Sequence, residues 1–114
     1  MIETIVLNSL SQSLENIPVY MEVPEDKPTK YVILEKTGSN RENRIDQATF
    51  AVQSIAPTLY EAAALNEQCK TVMDYLPYAT NEIFSSSLDS DYNFTDTETK
   101  ERRYQAVYIL TYKE

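Results

Sequence analysis

The fold is decided by the stretch that begins Asn-Arg-Ile-Asp-Gln-Ala-Thr-Phe-Ala-Val-Gln-Ser at residues 43–54 and ends Arg-Arg-Tyr-Gln-Ala-Val-Tyr-Ile-Leu-Thr-Tyr at residues 102–112. Apolar side chains occupy alternate positions in both segments, which is typical of strands with a buried face. In the final segment, predicted from Arg103 to Tyr112, Val107 and Ile109 make the second face apolar as well. That pattern favours an interior position in a sheet.

A helix is predicted between these two strands. Thr58 followed by Glu61 forms a capping box, and Pro77 is expected to end the helix at about Leu76. One stripe at helical spacing is apolar: Leu59, Ala62, Leu65, Cys69, Val72, Met73 and Leu76. Cys69 is therefore expected in the core, where it packs without reacting.

A weaker strand is predicted from Glu82 to Tyr92. Phe84, Leu88 and Tyr92 are assigned to one face, against Ile83 and small polar residues on the other. Because small polar residues are interleaved along it, this strand is expected at an exposed face or edge. The polar stretch from Thr95 to Arg102 is then the connecting loop.

The chain before residue 43 adds one helix and two strands. Met1 to Asn16 has apolar residues at successive i+4 positions and predicts an amphipathic helix ended by Pro18. Strands are predicted from Val19 to Val23 and from Tyr31 to Thr37, the latter closed by Gly38. The polar segment Ser39 to Arg44 is predicted to be the exposed tip of a hairpin with the next strand.

These elements predict an α+β fold over residues 1–114 as a single domain. The sheet is expected to be mixed or antiparallel, with about five strands, and the two helices are expected on one of its faces. The side chains expected to be buried are Ile5, Val6, Leu10, Leu34, Phe50, Val52, Leu65, Val72 and Leu110.

Composition excludes several classes of protein. The longest apolar run, Ala106 to Leu110, is far shorter than the roughly 20 residues that span a bilayer. Glu3 stands where a secretory signal would carry basic residues, so folding in the cytoplasm is expected. The 10 basic and 18 acidic residues give a net charge of -8, which disfavours general binding to a phosphate backbone.

Residues for catalysis and for cofactor binding are scarce. Histidine is absent and there is one glycine, which excludes histidine-based catalysis and glycine-rich phosphate loops. We therefore expect no enzyme and no cofactor. Asp89, Asp91 and Asn93 have the spacing of a calcium loop, but Phe94 and Lys100 stand where that loop needs glycine and glutamate. An EF-hand is rejected and a weaker ion site stays open, while a solvated acidic surface is the favoured interpretation.

The order of these segments resembles the tail terminator, or tail completion, proteins of tailed bacteriophages. The resemblance is carried by Asn43–Pro57, Leu59–Leu76 and Ser90–Tyr112, with Tyr31–Thr37 before them. It implies a structural, non-enzymatic protein that forms a ring, commonly of six subunits, at the head-proximal end of the tail tube. The implied partners are the major tail tube protein and the head connector or stopper protein, and DNA passes through the ring without specific binding. The resemblance also implies assembly in the bacterial host cytoplasm and a place in the virion, and an isolated subunit can still be monomeric.

Two polar, charged segments are candidates for contacts between subunits or with partners. Their expected exposure and their opposite charges make them candidates, since the resemblance offers no strict motif. The charged residues of the two segments are Arg41, Glu42, Arg44, Asp96, Glu98, Lys100 and Arg102. Two other functions stay open. One is a different connector or stopper of the head-tail junction, and the other, from another class, is an acidic DNA-mimic inhibitor, which the charge of -8 favours.

Overall fold

The computed structural model describes residues 1–113 and confirms the α+β prediction. In chain order the elements are α1 (Ile2–Ser13), β1 (Val19–Tyr20), β2 (Tyr31–Glu42), β3 (Ile45–Ala56), α2 (Leu59–Ala79), β4 (Ile83–Asn93) and β5 (Arg102–Tyr112). The strands form one sheet in the order β1-β2-β3-β5-β4. Only the β1–β2 pair is parallel, so the sheet is mixed. The interior position predicted for the last strand is confirmed.

Both helices pack on the same face of the sheet, as predicted. The alternating residues of β2, β3 and β5 that face them are Val32, Leu34, Ala48, Phe50, Val52, Ala106, Tyr108 and Leu110. The helices bury Ile2, Val6 and Leu10 from α1 and Leu65, Cys69, Met73 and Leu76 from α2 against this layer. The period of two in the strands and of about 3.6 in the helices thus produces one shared core.

Most of the predicted core is confirmed, with three corrections. Ile5 and Val72 pack against the core but are only half-buried. Leu59, placed on the apolar stripe of α2, is 39% exposed because it is the first residue of the helix, beyond the reach of the sheet. The other members of the expected list are buried.

The start of α2 is as predicted, but its end is not. The Thr58 hydroxyl oxygen accepts a hydrogen bond from the Glu61 backbone N–H at 3.1 Å, as a capping box requires. Pro77 does not stop the helix, which continues to Ala79. Proline at this position removes only its own backbone hydrogen bond, and the Thr80 N–H still bonds the Leu76 carbonyl at 3.0 Å to close the last turn.

Two of the predicted N-terminal strands have different bounds. The segment predicted as Val19 to Val23 is a strand only at Val19 and Tyr20, and Gly38 does not close β2. The β2–β3 ladder shifts register between Lys36 and Gly38 and then continues to Glu42. Gly38 has no positive φ, and an added Cβ would meet no atom within 4 Å, so nothing in its backbone ends a strand.

The faces of β4 differ from the prediction. Ile83 is buried in the core, whereas Phe84, Leu88 and Tyr92 are 52%, 42% and 41% exposed. The β4–β5 ladder shifts register twice, between Ile83 and Ser85 and between Leu88 and Ser90. Each shift resets the alternation of side chains, which simple periodicity assumed to be continuous. The predicted position at an exposed edge is confirmed.

Candidate functional site

The polar segment around residue 40 forms a paired arm of two strands. Residues 37–45 are all exposed, yet the β2–β3 ladder continues to the pair Glu42 and Ile45. Asn43 and Arg44 form the two-residue turn, with φ of 53° and 67°. Turns with two positive φ values match the twist of antiparallel strands. We call residues 37–45 the hairpin arm. The strands of the predicted hairpin therefore continue through the polar tip almost to the turn.

The charged residues of the hairpin arm differ in how they are held. The Arg41 guanidinium binds the Asp46 carboxylate through Nε–Oδ1 and through Nη2–Oδ2, the second at 3.1 Å. These hydrogen bonds, and after them the positive charge, hold the pKa of Asp46 below its usual value, against the opposing effect of burial. The side chains of Glu42 and Arg44 make no ion pair or hydrogen bond with residues 1–113. Of the two arginines of the hairpin arm, Arg41 is thus held by Asp46, whereas no side chain of residues 1–113 holds Arg44.

The second charged segment, residues 94–101 between β4 and β5, is organised by Asp96. Its Oδ1 accepts hydrogen bonds from the backbone N–H groups of Glu98 at 2.9 Å and Thr99 at 3.3 Å. Those bonds lower the pKa of Asp96. The Lys100 N–H donates to the Asp96 carbonyl at 2.8 Å, and Lys100 has a φ of 57°. Asp96 therefore shapes the loop, while Glu98, Lys100 and Arg102 point their charges to solvent.

The two charged segments lie at opposite ends of the sheet. Tyr112, at the end of β5, pairs with Asp46 beside the hairpin arm, whereas Arg102, at its start, pairs with Ala56. Ten residue steps of strand separate them, roughly 33 Å at about 3.3 Å per residue. The longest dimension of the molecule is 43 Å. The seven candidate residues therefore cannot form one site, and they are suited to two contacts in opposite directions.

The face of the sheet that no helix covers carries a polar network that sequence reasoning missed. Gln53 donates to the Gln105 side-chain oxygen at 3.0 Å, and Gln105 donates to the Tyr92 hydroxyl at 2.6 Å. Arg103 donates to the Gln53 oxygen at 2.7 Å and forms an ion pair with Glu101. These side chains belong to neighbouring strands and to the loop, so only the register of the sheet could show that they meet.

The network continues to β2 through Tyr31. The Tyr31 hydroxyl donates to Glu101 Oε2 at 3.0 Å, and its ring meets the Tyr20 ring edge-on. Burial and then this hydrogen bond raise the pKa of Tyr31 to about 12. For Glu101, burial pushes the pKa upward, but the bonds from Tyr31 and Arg103 outweigh it, so its pKa is lowered.

The raised pKa of Tyr31 predicts a loss of stability in alkali. A free tyrosine ionises near pH 10, so between about pH 10 and 12 the unfolded chain has lost this proton while the folded chain retains it. The free energy of unfolding should therefore fall as pH rises through this range. Urea unfolding between about pH 9 and pH 11 measures the slope. The Tyr31→Phe variant should show a smaller slope than wild type, and equal slopes would show that Tyr31 does not contribute.

Within the acidic run from Asp89 to Asn93, the carboxylate of Asp91 is held by two side chains of α2. Lys70 Nζ donates to Asp91 Oδ2 at 2.8 Å, and Asn66 Nδ2 donates to the same oxygen at 3.1 Å. The bond from Lys70 is the main cause of the lowered pKa of Asp91. No three Asp, Glu or Cys side chains of residues 1–113 lie together as metal ligands. Asp91 thus joins α2 to β4, and Asp89 is exposed on the outer strand.

Cys69 is buried on α2, as predicted. Burial raises the pKa of its thiol to about 11, partly offset by a hydrogen bond from the Ser54 hydroxyl at 3.5 Å. A thiol with a raised pKa and no exposure is a poor nucleophile. Cys69 therefore packs in the core and offers no reactive group.

Several tyrosines that periodicity could not assign are now placed. Tyr75 and Tyr78 on α2 are 63% and 80% exposed, and their rings lie 5.3 Å apart. Tyr20 packs on Tyr31, and Tyr92 belongs to the polar network. Exposed paired aromatics of this kind are enriched at protein interfaces.

No helix within residues 1–113 is both long and apolar enough to cross a membrane.

Comparisons with known proteins give a likeness in structure but none in sequence. No family model matches the chain, and no curated protein matches it. A chain in the virion of a native gene transfer agent particle aligns with 96% of this chain and 84% of its own length, at 10% identity and a TM-score of 0.48. A likeness at this level says nothing about function.

Proposed function

We propose that this chain is a non-enzymatic virion assembly protein that caps the head-proximal end of a phage tail tube. The observation that carries the proposal is the hairpin arm, because its residues 37–45 are exposed and contribute no side chain to the core. Together with the order of segments that resembles tail terminators, it supports a protein whose function is contact with other subunits. The absence of histidine and of glycine-rich loops agrees with a non-enzymatic function.

The mechanism we propose is steric. One face of a ring of these subunits matches the last ring of the tail tube and stops its polymerisation, and the other face receives the head connector or stopper protein. The two charged segments at opposite ends of the sheet support such a two-sided contact. We propose a hexamer, since six is the common number in the resembling family, located in the virion after assembly in the bacterial cytoplasm. A net charge of -8 favours a channel through which DNA moves without sticking.

Reversing the charge at Arg44 tests this function. Arg44→Glu should leave the fold intact, because the side chain is exposed in a turn and has no partner within residues 1–113. Reversing Arg41 as well is a poorer test, since it sets two carboxylates side by side at Asp46. The variant should fail to cap the tube, and tails assembled with it should have uncontrolled length by electron microscopy.

The matched control is Arg44→Lys, which changes the same exposed side chain but keeps its positive charge. Tails made with the control should keep a single length. Normal tail lengths and infectious particles from Arg44→Glu would remove this residue from the contact. Tubes whose length does not depend on the presence of the wild-type chain would contradict the capping function itself, and favour the connector or the DNA-mimic alternative.

A further inference from the structure

The sheet has two open edges, one on each side. β4 is the last strand of the sheet on its side. On the other side, β1 pairs with β2 only at Val32 and Ile33, so no strand of residues 1–113 lies along the outer side of β2 from Leu34 to Glu42. Unpaired backbone N–H and C=O groups along a strand edge are a template for pairing with another chain.

The two open edges span the same height of the sheet. Following the ladders across β3 and β5, Leu34 is level with Asp91, Ser39 is level with Ser86, and Arg41 is level with Ile83. The stretch of β2 from Leu34 to Arg41 therefore lies level with the stretch of β4 from Ile83 to Asp91. These two stretches can form one ladder, interrupted at the register shifts of each strand.

Strand directions allow this ladder between copies in the same orientation. The β2–β3, β3–β5 and β4–β5 pairs are all antiparallel, so β4 runs opposite to β2. When β4 of one copy lies beside β2 of the next, the new pair is antiparallel without turning either copy over. The two edges are unlike, so the contact is head-to-tail, and a repeated rotation can close it into a ring.

Side-chain chemistry favours the unlike pair over two like edges. The open stretch of β4 carries Asp89 and Asp91 and no basic residue, so two β4 edges would bring carboxylates together. The open stretch of β2 carries Lys36 and Arg41 beside Glu35 and Glu42, so it has no net charge and does not repel the carboxylates of β4. A neighbouring strand would also cover Leu88, which is 42% exposed at the edge.

We propose that copies of this chain join by antiparallel pairing between the β4 edge of one copy and the Leu34–Glu42 edge of β2 in the next, which continues the sheet from subunit to subunit. The occupant of each edge is a second copy of this chain. The inference rests on the proposed ring-forming function and names the contact that closes the ring. In this contact, the β2 strand of the hairpin arm pairs with the neighbouring copy. The turn that contains Arg44 lies beyond the end of the paired strands.

A pair of introduced cysteines tests the register directly. Asn40→Cys and Ser85→Cys in the same chain place exposed thiols at one level on the two edges, so the thiol on β2 of one copy meets the thiol on β4 of the next. Two samples are oxidised with copper phenanthroline: the purified protein at a series of rising concentrations, and particles that contain it. Free thiols are alkylated before denaturation. Non-reducing gels should show a ladder of covalent multimers that ends at the ring size. Buried Cys69 keeps the wild-type chain unlinked.

Matched variants separate this contact from others. Asn40→Cys combined with Ser13→Cys, an exposed position on α1, should give no ladder, and each single variant should give few dimers. Efficient dimers from Ser85→Cys alone would show that two β4 edges pair, and would overturn the proposal. Rings seen by electron microscopy with no ladder would overturn the edge pairing and leave the capping function standing. Absence of rings, ladder and capped tubes together would overturn both.

Discussion

Truncating Phe50 to alanine should lower the free energy of unfolding by about 3 to 5 kcal/mol, which is a large part of the total stability of a domain of this size. Phe50 is 0% exposed and lies in the central strand β3, opposite Tyr108 on β5 and on the face of the sheet that packs against α2. The lost side chain leaves a cavity that the surrounding strands cannot close, because their backbones are fixed by ladders on both sides. Urea or thermal unfolding of the purified chain measures the loss.

The control for this prediction is Tyr78→Ala, which also removes an aromatic ring but from a position that is 80% exposed. It should change the free energy of unfolding by less than about 0.5 kcal/mol. If Phe50→Ala lost no more stability than Tyr78→Ala, the placement of β3 at the centre of the core would be wrong.

Replacing Arg103 with methionine should have the second largest effect, a loss of about 2 to 4 kcal/mol. Breaking a buried ion pair by removing one partner costs about 3 to 5 kcal/mol. The side chains of Arg103 and Glu101 are 15% and 19% exposed, so water relieves part of that cost. The buried Nε of Arg103 has no hydrogen-bond partner within residues 1–113, so its removal offsets a little more of the lost stability. The variant leaves Glu101 and the Gln53 oxygen without their strongest donor.

The neighbouring Arg102→Met provides a matched control, because Arg102 is exposed and makes no ion pair with residues 1–113. Its free energy of unfolding should stay within about 0.5 kcal/mol of wild type. Equal losses from Arg102→Met and Arg103→Met would mean that the polar network on the uncovered face of the sheet does not contribute to stability. If the network acts as a unit, the loss of stability in the double variant Arg103→Met with Tyr31→Phe should differ from the sum of the two single losses.

The sequence by itself determined the fold class and the main core. Alternation at Ala48, Phe50 and Val52 assigned the buried face of β3, and the capping box at Thr58 fixed the start of α2. These features depend on side-chain periodicity and on local hydrogen bonds, which neighbouring residues decide. The same local information showed that Ser39 to Arg44 is a polar hairpin tip and that the strand after α2 lies at an edge.

Only the tertiary structure decided where strands bend and which side chains meet. Register shifts in β4 placed Leu88 on the same side as Ile83, against the prediction, since a shift depends on the partner strand as much as on the strand itself. The pairing of Tyr31 with Glu101 joins residues 70 positions apart, and no local pattern marks such a contact. Strand order likewise placed the two charged segments at opposite ends and left β2 and β4 open at the edges. Long-range backbone pairing sets these features, and periodicity carries no information about it.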